Sequence, residues 1–303
     1  MNKKSIGIII LTRDEPKNLN QTIDAIQKRT NYPFELFIVD NNSNTMEQLS
    51  LINEISEKNI ATVIRNPKNN WVLGFNLAIS LVNRRDDLSK DYIVLTDGDI
   101  EVPKTQDNIC WLSYLKSELD NNVSIGKLGL PISLENLDKK KFYSIREKEK
   151  LLMQGPKIGN SVVSGVDTTL AIYRFDLYVM PFFKIFPGHS SLIKPNYYVC
   201  RASNFFIKHL GWDSYNSNEN KEKLEEKIIC FAKYAGFVEP ALLRKVSSST
   251  RAYYLIFGRI VKFFWGLRII FYWLIFLIIR FPRNINEIQA SSRDKINEKE
   301  KST

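Results

Sequence analysis

Cysteine, histidine and glycine-rich loops are scarce in this chain of 303 residues. The three cysteines, Cys110, Cys200 and Cys230, stand far apart in no metal-ligand spacing, which argues against a zinc site. Their odd count, with no signal peptide ahead of Ile6, leads us to expect reduced thiols in the cytosol. No G-x-G-x-x-G follows the first apolar run and no G-x-x-x-x-G-K-[ST] occurs, so a bound phosphate is not gripped by a glycine-rich loop. Acidic residues are absent from 244–283, which holds eight of the 43 Lys and Arg; the rest carries 35 basic against 33 acidic residues. The net charge of +10 therefore belongs to one aromatic-rich segment. A nucleic-acid binder spreads its basic groups over a folded face, so this pattern points to a membrane surface instead.

What is present is most informative at Tyr92-Ile93-Val94-Leu95-Thr96-Asp97-Gly98-Asp99-Ile100. An apolar run reads as a buried strand, and two carboxylates spaced i, i+2 fall where it ends. Neighbouring carboxylates repel and lose hydration unless a cation or donor is at hand. Oxygen ligands at a strand's carboxyl end suit a hard divalent ion that also holds a diphosphate. The alternative is an Asp-Gly-Asp turn whose carboxylates cap backbone amides.

The organisation around this motif is α/β. Residues 6–11 and 34–39 read as strands, the first covered on both faces, with helices after each and a third strand over Ile60–Ile64. Gly74–Val82 reads as a helix, Lys104–Leu119 as another, and Ile125–Pro131 as a strand. Residues 135–154 read as a solvated helix or loop, 161–173 as strand-like and 219–235 as an amphipathic helix. The chain from Asn284 onward reads as a disordered tail. The alternation predicts a mostly parallel sheet with a site at the strands' carboxyl ends.

In this order, Ile6–Glu15, Phe34–Asn44, Asn69–Asn76 and Tyr92–Pro103 resemble glycosyltransferase family 2, enzymes of the GT-A fold, over about the first 105 residues. The resemblance implies that Thr12, Arg13 and Glu15 touch the donor's base and ribose. It implies that Asp40 recognises the base, with Asn41 standing where the family often has a second acid. The resemblance makes UDP- or dTDP-sugars the favoured donors, and an amide, which offers a pyrimidine both donor and acceptor, leaves them open although the second acid is missing; an Asx-turn built by Asp40 and Asn42 is the alternative. Asn70, Gly74 and Asn76 match a segment near the donor, although helix capping by Asn70 explains that pattern too. By the same match Asp97 faces ribose or a metal-bound water, and Asp99 binds Mn²⁺ or Mg²⁺ directly.

The acceptor half departs from the family, whose late Glu-Asp pair is missing. Asp167, in Ser164-Gly165-Val166-Asp167-Thr168-Thr169, is the best substitute for the base that deprotonates the acceptor, or else a structural acid bonded to Thr168 or Thr169. Asp213 is the reserve, with Trp212 placed to stack on a sugar. Of the two histidines, His209 is a candidate third metal ligand and His189 a loop residue.

Residues 251–281 carry eleven aromatic residues, and at ~100° per residue Arg251, Arg259, Lys262, Arg280 and Arg283 fall on one face, with Arg268 off it. That pattern suits a helix lying among lipid headgroups. The uncharged core Ile269–Ile279 is shorter than the ~20 residues a bilayer span needs. The expected layout is a catalytic domain over 1–243, with a donor half to 105 and an acceptor half beyond it, then a membrane-associating segment over 244–283 and a tail. The expected function is metal-dependent, inverting transfer of a sugar to a glycan or lipid-linked acceptor at the cytoplasmic face of a membrane, by a peripheral or monotopic protein. The rivals are a nucleotidyltransferase that makes nucleotide sugars and a degenerate, non-catalytic scaffold.

Overall fold

The computed structural model describes residues 4–135, 139, 142–166, 169–174, 197–211, 221–233 and 236–264, with helical positions scattered up to 278. A nine-stranded sheet in the order β3-β2-β1-β4-β9-β6-β10-β8-β7 is its frame. The first hundred residues supply β1 (Ser5–Thr12), β2 (Phe34–Asp40), β3 (Thr62–Arg65) and β4 (Leu88–Asp97), all parallel. β6 (Ile125–Gly129) and β10 (Tyr198–Arg201) run the same way as these. β9 (Leu170–Arg174) and β8 (Ser161–Val163) run against them, and the short β7 (Lys157–Ile158) closes the edge.

The unbroken apolar run of β1 is explained by cover on both faces. Ile6, Ile8 and Ile10 join a core with the helices α1 (Pro16–Arg29), α2 (Met46–Glu57) and α4 (Trp111–Asn121). Ile9 turns the other way, to a second core with α3 (Phe75–Arg84), Phe37, Val39 and Tyr173. A third, smaller core joins Phe142, Ile145 of α5 (Tyr143–Leu152), Ile228 of α6 (Lys221–Lys233), Val238, Leu242 and Tyr254. Burial at roughly 25 cal/mol per Å² of apolar area makes the first two cores the main stabilising contribution to the sheet.

Three expectations differ in detail. The helix expected from Lys104 begins only at Trp111. Residues 104–110 form a turn with a Gln106–Ile109 bridge and positive φ at Asp107 and Asn108, and Cys110 Sγ then caps Ser113 N. The strand-like stretch 161–173 is two strands, not one: β8 pairs with β10, whereas β9 inserts between β4 and β6. In 135–154 the solvated pattern hides α5, whose Glu149 is buried because it pairs with buried Arg201.

A final helix occupies 248–264, and the described residues up to 278 are helical. Its first turns are docked: Thr250 Oγ1 donates to Glu225 Oε2 (3.2 Å), and Tyr254 Oη accepts from Val238 N and donates to Gly236 O, each at 3.0 Å. Arg251 is not part of an outward basic stripe. It folds back to donate to the carbonyls of Leu243 (2.9 Å) and Arg244 (3.3 Å), orphaned where the short helix Pro240–Leu243 ends. The tail beyond 280 lies outside the described residues.

Candidate active site

The site forms where β4 stops. Asp97 N donates to Thr169 O (3.1 Å), and Thr96 Oγ1 donates to the same carbonyl (2.7 Å), so the strand's last register is fixed from β9's side. The turn that follows is tied from the opposite face. Thr22, fully buried on α1, donates to Gly98 O (2.9 Å) and accepts from Ile100 N (3.0 Å). Gly98 cannot be replaced cheaply, since a Cβ there would stand 2.8 Å from Glu15 Oε1 and 2.9 Å from Thr12 Cβ. Thr22 was not singled out from the sequence; its only signal was a polar residue on the apolar face of α1.

Asp99 is buried, and the second, two-stranded sheet brings it a partner. β5 (Ile100–Glu101) pairs with β11 (Lys208–His209) so that His209 stands opposite Ile100. Leu210 N donates to Asp99 O (2.7 Å), and His209 Nδ1 lies 3.4 Å from Asp99 Oδ2. Gly211 makes room for the carboxylate, because a Cβ at that position would collide with Asp99 Oδ2. Residues more than a hundred positions apart thus meet at the motif.

The loop after β1 supplies a third carboxylate. Glu15 accepts from Thr12 Oγ1 (3.2 Å), while Gln48 ties both residues to α2 by Glu15 N to Oε1 (3.0 Å) and Nε2 to Thr12 Oγ1 (3.4 Å). Burial, and then the charges of Asp99 and Asp97, push the Glu15 carboxyl well above the ordinary range; Lys227 and the Thr12 hydroxyl oppose this less strongly. Burial, and then the Asp97 charge, likewise push the Tyr173 phenol up. A hard divalent cation suits this concentration of acid. Among the described residues no three His, Cys, Asp or Glu groups enclose an ion. Asp99 and His209 would hold such a cation from one side, leaving its remaining positions to water and diphosphate oxygens, as for ions that carry substrate phosphates.

Arg13 pairs with Glu226 of α6 (2.9 Å). Asp14, at φ 51°, accepts from Asn44 N (2.7 Å) and Thr45 N (2.9 Å) and so joins the β1 loop to the start of α2. Burial raises its carboxyl, but those two bonds, with smaller help from the Thr45 side chain and the Arg13 charge, bring it below the ordinary value.

Asp40 is buried and Oδ1 accepts from Ser43 N (3.2 Å), an Asx-turn with Asn42 at φ 65° inside it. Asn41 spends its amide on the protein. Nδ2 donates to Asn69 Oδ1 (2.9 Å) and Trp71 O (3.0 Å), and Oδ1 accepts from Asn66 Nδ2 (3.1 Å) and Asn70 N (3.0 Å). The expectation that this amide reads a pyrimidine gives way to a role in holding the 66–74 loop. The network also fixes Trp71 at φ 51°, a rare conformation for an aromatic residue. Asn70 heads the 3₁₀ turn Trp71–Gly74 without a side-chain cap bond. The close approach at Gly74 is to the protein itself: a Cβ would meet Leu11 Cδ1 at 2.8 Å and Asn41 Oδ1 at 2.9 Å.

The structure therefore brings together Thr12, Glu15, Asp97, Asp99 and His209, with Arg13, Asp40, Asn41, Asn70 and Gly74 in the adjoining loops. Asp167, His189, Trp212 and Asp213 lie outside the described residues.

The family model for glycosyl transferase family 2 matches residues 7–177. No curated protein matches the chain. Among solved structures, the chain is similar to a mannosyltransferase from Pyrobaculum calidifontis in complex with GDP-Man and Mn2+. That match has 14% identity over 85% of this chain and 72% of that one, with a TM-score of 0.51, and it bears on fold alone. Further similarities are to GalNAc-T7 with UDP, GalNAc and Mn2+ (14% identity, 69% of this chain and 44% of that one, TM-score 0.47) and to residues 1–349 of S. aureus TarS with UDP (14%, 80% and 69%, 0.45).

Proposed function

Since the chain belongs to glycosyl transferase family 2, we propose that it moves a sugar from a UDP- or dTDP-sugar to a hydroxyl of a glycan or lipid-linked acceptor. We assign it to the cytoplasmic face of a membrane. The observation that carries this reading is the meeting of Asp97, Asp99, Glu15 and His209 at the carboxyl edge of the sheet.

In this reading Asp99 and His209 bind Mn²⁺ or Mg²⁺, which when bound offsets the charge that develops on the leaving diphosphate. Asp97 orients the ribose or a metal-bound water, and Thr12, Arg13 and Glu15 line the nucleoside. Asp40 and the 66–74 loop form the floor beneath the base. In a direct displacement the acceptor oxygen bonds to the sugar's anomeric carbon as the bond to the diphosphate breaks. The acceptor's proton passes to Asp167, with Asp213 in reserve, and the anomeric centre inverts.

The membrane assignment is supported by exposure. More than half of the large hydrophobic side chains exposed among the described residues lie at 255–278, including Ile256, Phe263, Phe264, Ile270 and Ile278. Exposed apolar patches of this kind mark interaction surfaces, and Arg259 and Lys262 border this one. Among the described residues no helix is long and apolar enough to cross a membrane, so the surface-lying arrangement is the one proposed.

The test is a thermal-shift panel of nucleotide sugars with Mn²⁺, followed by release of nucleoside diphosphate from the sugar that stabilises most. A transferase releases nucleoside diphosphate slowly to water and faster with an acceptor. Pyrophosphate exchange with a nucleoside triphosphate would instead support the nucleotidyltransferase, and absence of any turnover the scaffold.

A further inference from the structure

Three arginines of this protein spend their nitrogens on the fold. Arg29 donates to Val102 O (2.6 Å) and Glu101 Oε1 (2.7 Å), and Arg174 donates to the carbonyls of Ile125, Leu119 and Asn122. Arg201 donates to Gly165 O (2.7 Å) and pairs with buried Glu149. Arg13 differs. Among the described residues its guanidinium makes one hydrogen bond, from Nη1 to Glu226 Oε2 at 2.9 Å. Nε is buried without such a bond, 3.7 Å from Asp14 Oδ2. A guanidinium carries five N–H donors, so most of those on Arg13 are left for other acceptors.

The place of Arg13 gives those donors a use. It stands between Thr12 and Glu15, whose side chains crowd Gly98 in the acidic turn. Its partner comes from 213 positions away in the sequence, on a helix fixed by its own contacts. Ile228 of α6 is buried in the third core, and Glu225 accepts from Ser247 N (2.9 Å) and Thr250 Oγ1 (3.2 Å). Burial and the charges of Asp99 and Asp97 raise the Glu15 carboxyl, and Lys227, the residue after Glu226, opposes them. This turn of α6 therefore meets the β1 loop with both signs matched. Asp14 cannot serve in place of Glu226, because its Oδ1 is committed to Asn44 N and Thr45 N.

Stability does not account for the pair. The Glu226 side chain is 56% exposed and that of Arg13 26%, and ion pairs in such a setting contribute little. A charge-assisted bond does fix the direction of a guanidinium. We propose that Glu226 is a positioning residue for donor binding: it holds Arg13 beside the acidic turn so that the remaining N–H groups meet the nucleotide. The inference rests on the reading of Arg13 as a donor-contacting residue.

The experiment follows UDP affinity with Mn²⁺ by calorimetry, and urea unfolding, in wild type, Glu226→Ala, Arg13→Ala and the two changes together. Glu226→Ala should unfold as wild type does and bind UDP about fivefold more weakly, since Arg13 is present but no longer aimed. Arg13→Ala should lose about thirtyfold, the worth of a hydrogen bond from a charged group. Adding Glu226→Ala to it should cost no further affinity, because Glu226 acts through Arg13. Normal UDP binding by Glu226→Ala overturns the proposal. So do losses that add in the double variant, which would make Glu226 act independently of Arg13. Equal losses in the two single variants, or a fall in stability that parallels the fall in affinity, overturn it too, because the pair would then be a clamp between two elements. Arg13→Ala separates the two readings. Normal UDP binding in that variant removes Arg13 from the donor site and the inference with it. Weak binding there, beside normal binding in Glu226→Ala, keeps Arg13 and removes Glu226 alone.

Discussion

His209 and Asp99 face each other across the two-residue pairing of β5 and β11, Nδ1 standing 3.4 Å from Oδ2. A divalent ion that takes one ligand atom from each would sit between these two side chains. Calorimetric titration of UDP with and without Mn²⁺ checks the assignment. His209→Ala should raise the Mn²⁺ concentration for half-maximal UDP binding about tenfold. Asp99→Asn should abolish the metal effect, and Asp97→Asn should weaken it less. Equal, metal-independent binding in all of them would show that the acidic turn only caps backbone amides.

Thr22 makes a separate prediction about preorganisation. Its single hydroxyl serves both sides of the Gly98 turn, and Thr22→Val keeps the shape while leaving a buried carbonyl and amide unpaired. Each unsatisfied group costs roughly 1–3 kcal/mol, so urea unfolding should show a loss of about 2–4 kcal/mol. The metal dependence of UDP binding should weaken as well, because the turn that aims Asp99 is loosened. A stability loss with unaltered metal dependence would confine Thr22 to the core.

The family, the fold class and the position of the acidic turn were legible because their signals are local. An apolar run that ends in Asp97-Gly98-Asp99 needs no distant residue to be read. The remainder depends on contacts that no period reveals. His209 reaches Asp99 through a pairing only two residues long, too short to leave an alternating pattern. Asn41 is equally able to face a base or the protein, and Asn66, Asn69 and Asn70 decide the matter from 25 to 29 positions away. Lys127 interrupts Ile125-Gly126-Lys127-Leu128-Gly129 as an exposed residue would, yet it is buried because Val166 folds over it.

Asp14 should report on pH. Its carboxyl is lowered in the folded chain from 3.8 by the amides of Thr45 and Asn44, so its contribution is complete above the unfolded value. That contribution is lost as pH falls through the lower, folded value. Asp14→Asn keeps an acceptor oxygen and tolerates the left-handed backbone, so it isolates the charge. Denaturation at pH 7 should show a loss of about 0.5–1 kcal/mol, within the range for helix caps. The gap between the two proteins should close as pH drops below about 4. A gap constant with pH would mean that geometry, not charge, ties the β1 loop to α2.

The C-terminal helix has a docked part and an exposed part, and the cut that separates them follows from its contacts. Thr250 and Tyr254 belong to the body of the protein through Glu225, Gly236 and Val238, and Gly258 lies against Ala232 of α6. Removing everything from Arg251 would strip Tyr254 from the third core and unpair the amide of Val238. Ending the chain after Gly258 leaves those contacts whole and removes Phe263, Phe264 and the apolar positions up to Ile278. The shortened protein should unfold within a few degrees of full-length protein and bind UDP with Mn²⁺ equally well. Full-length protein should sediment with vesicles rich in anionic lipid and release from them as salt rises, because each basic residue near such a surface contributes ~1 kcal/mol that ions screen. The shortened protein should stay in the supernatant at every salt concentration. Equal sedimentation of both forms would place the membrane contact elsewhere. Failure of full-length protein to bind any vesicle would leave the exposed aromatic face to another partner.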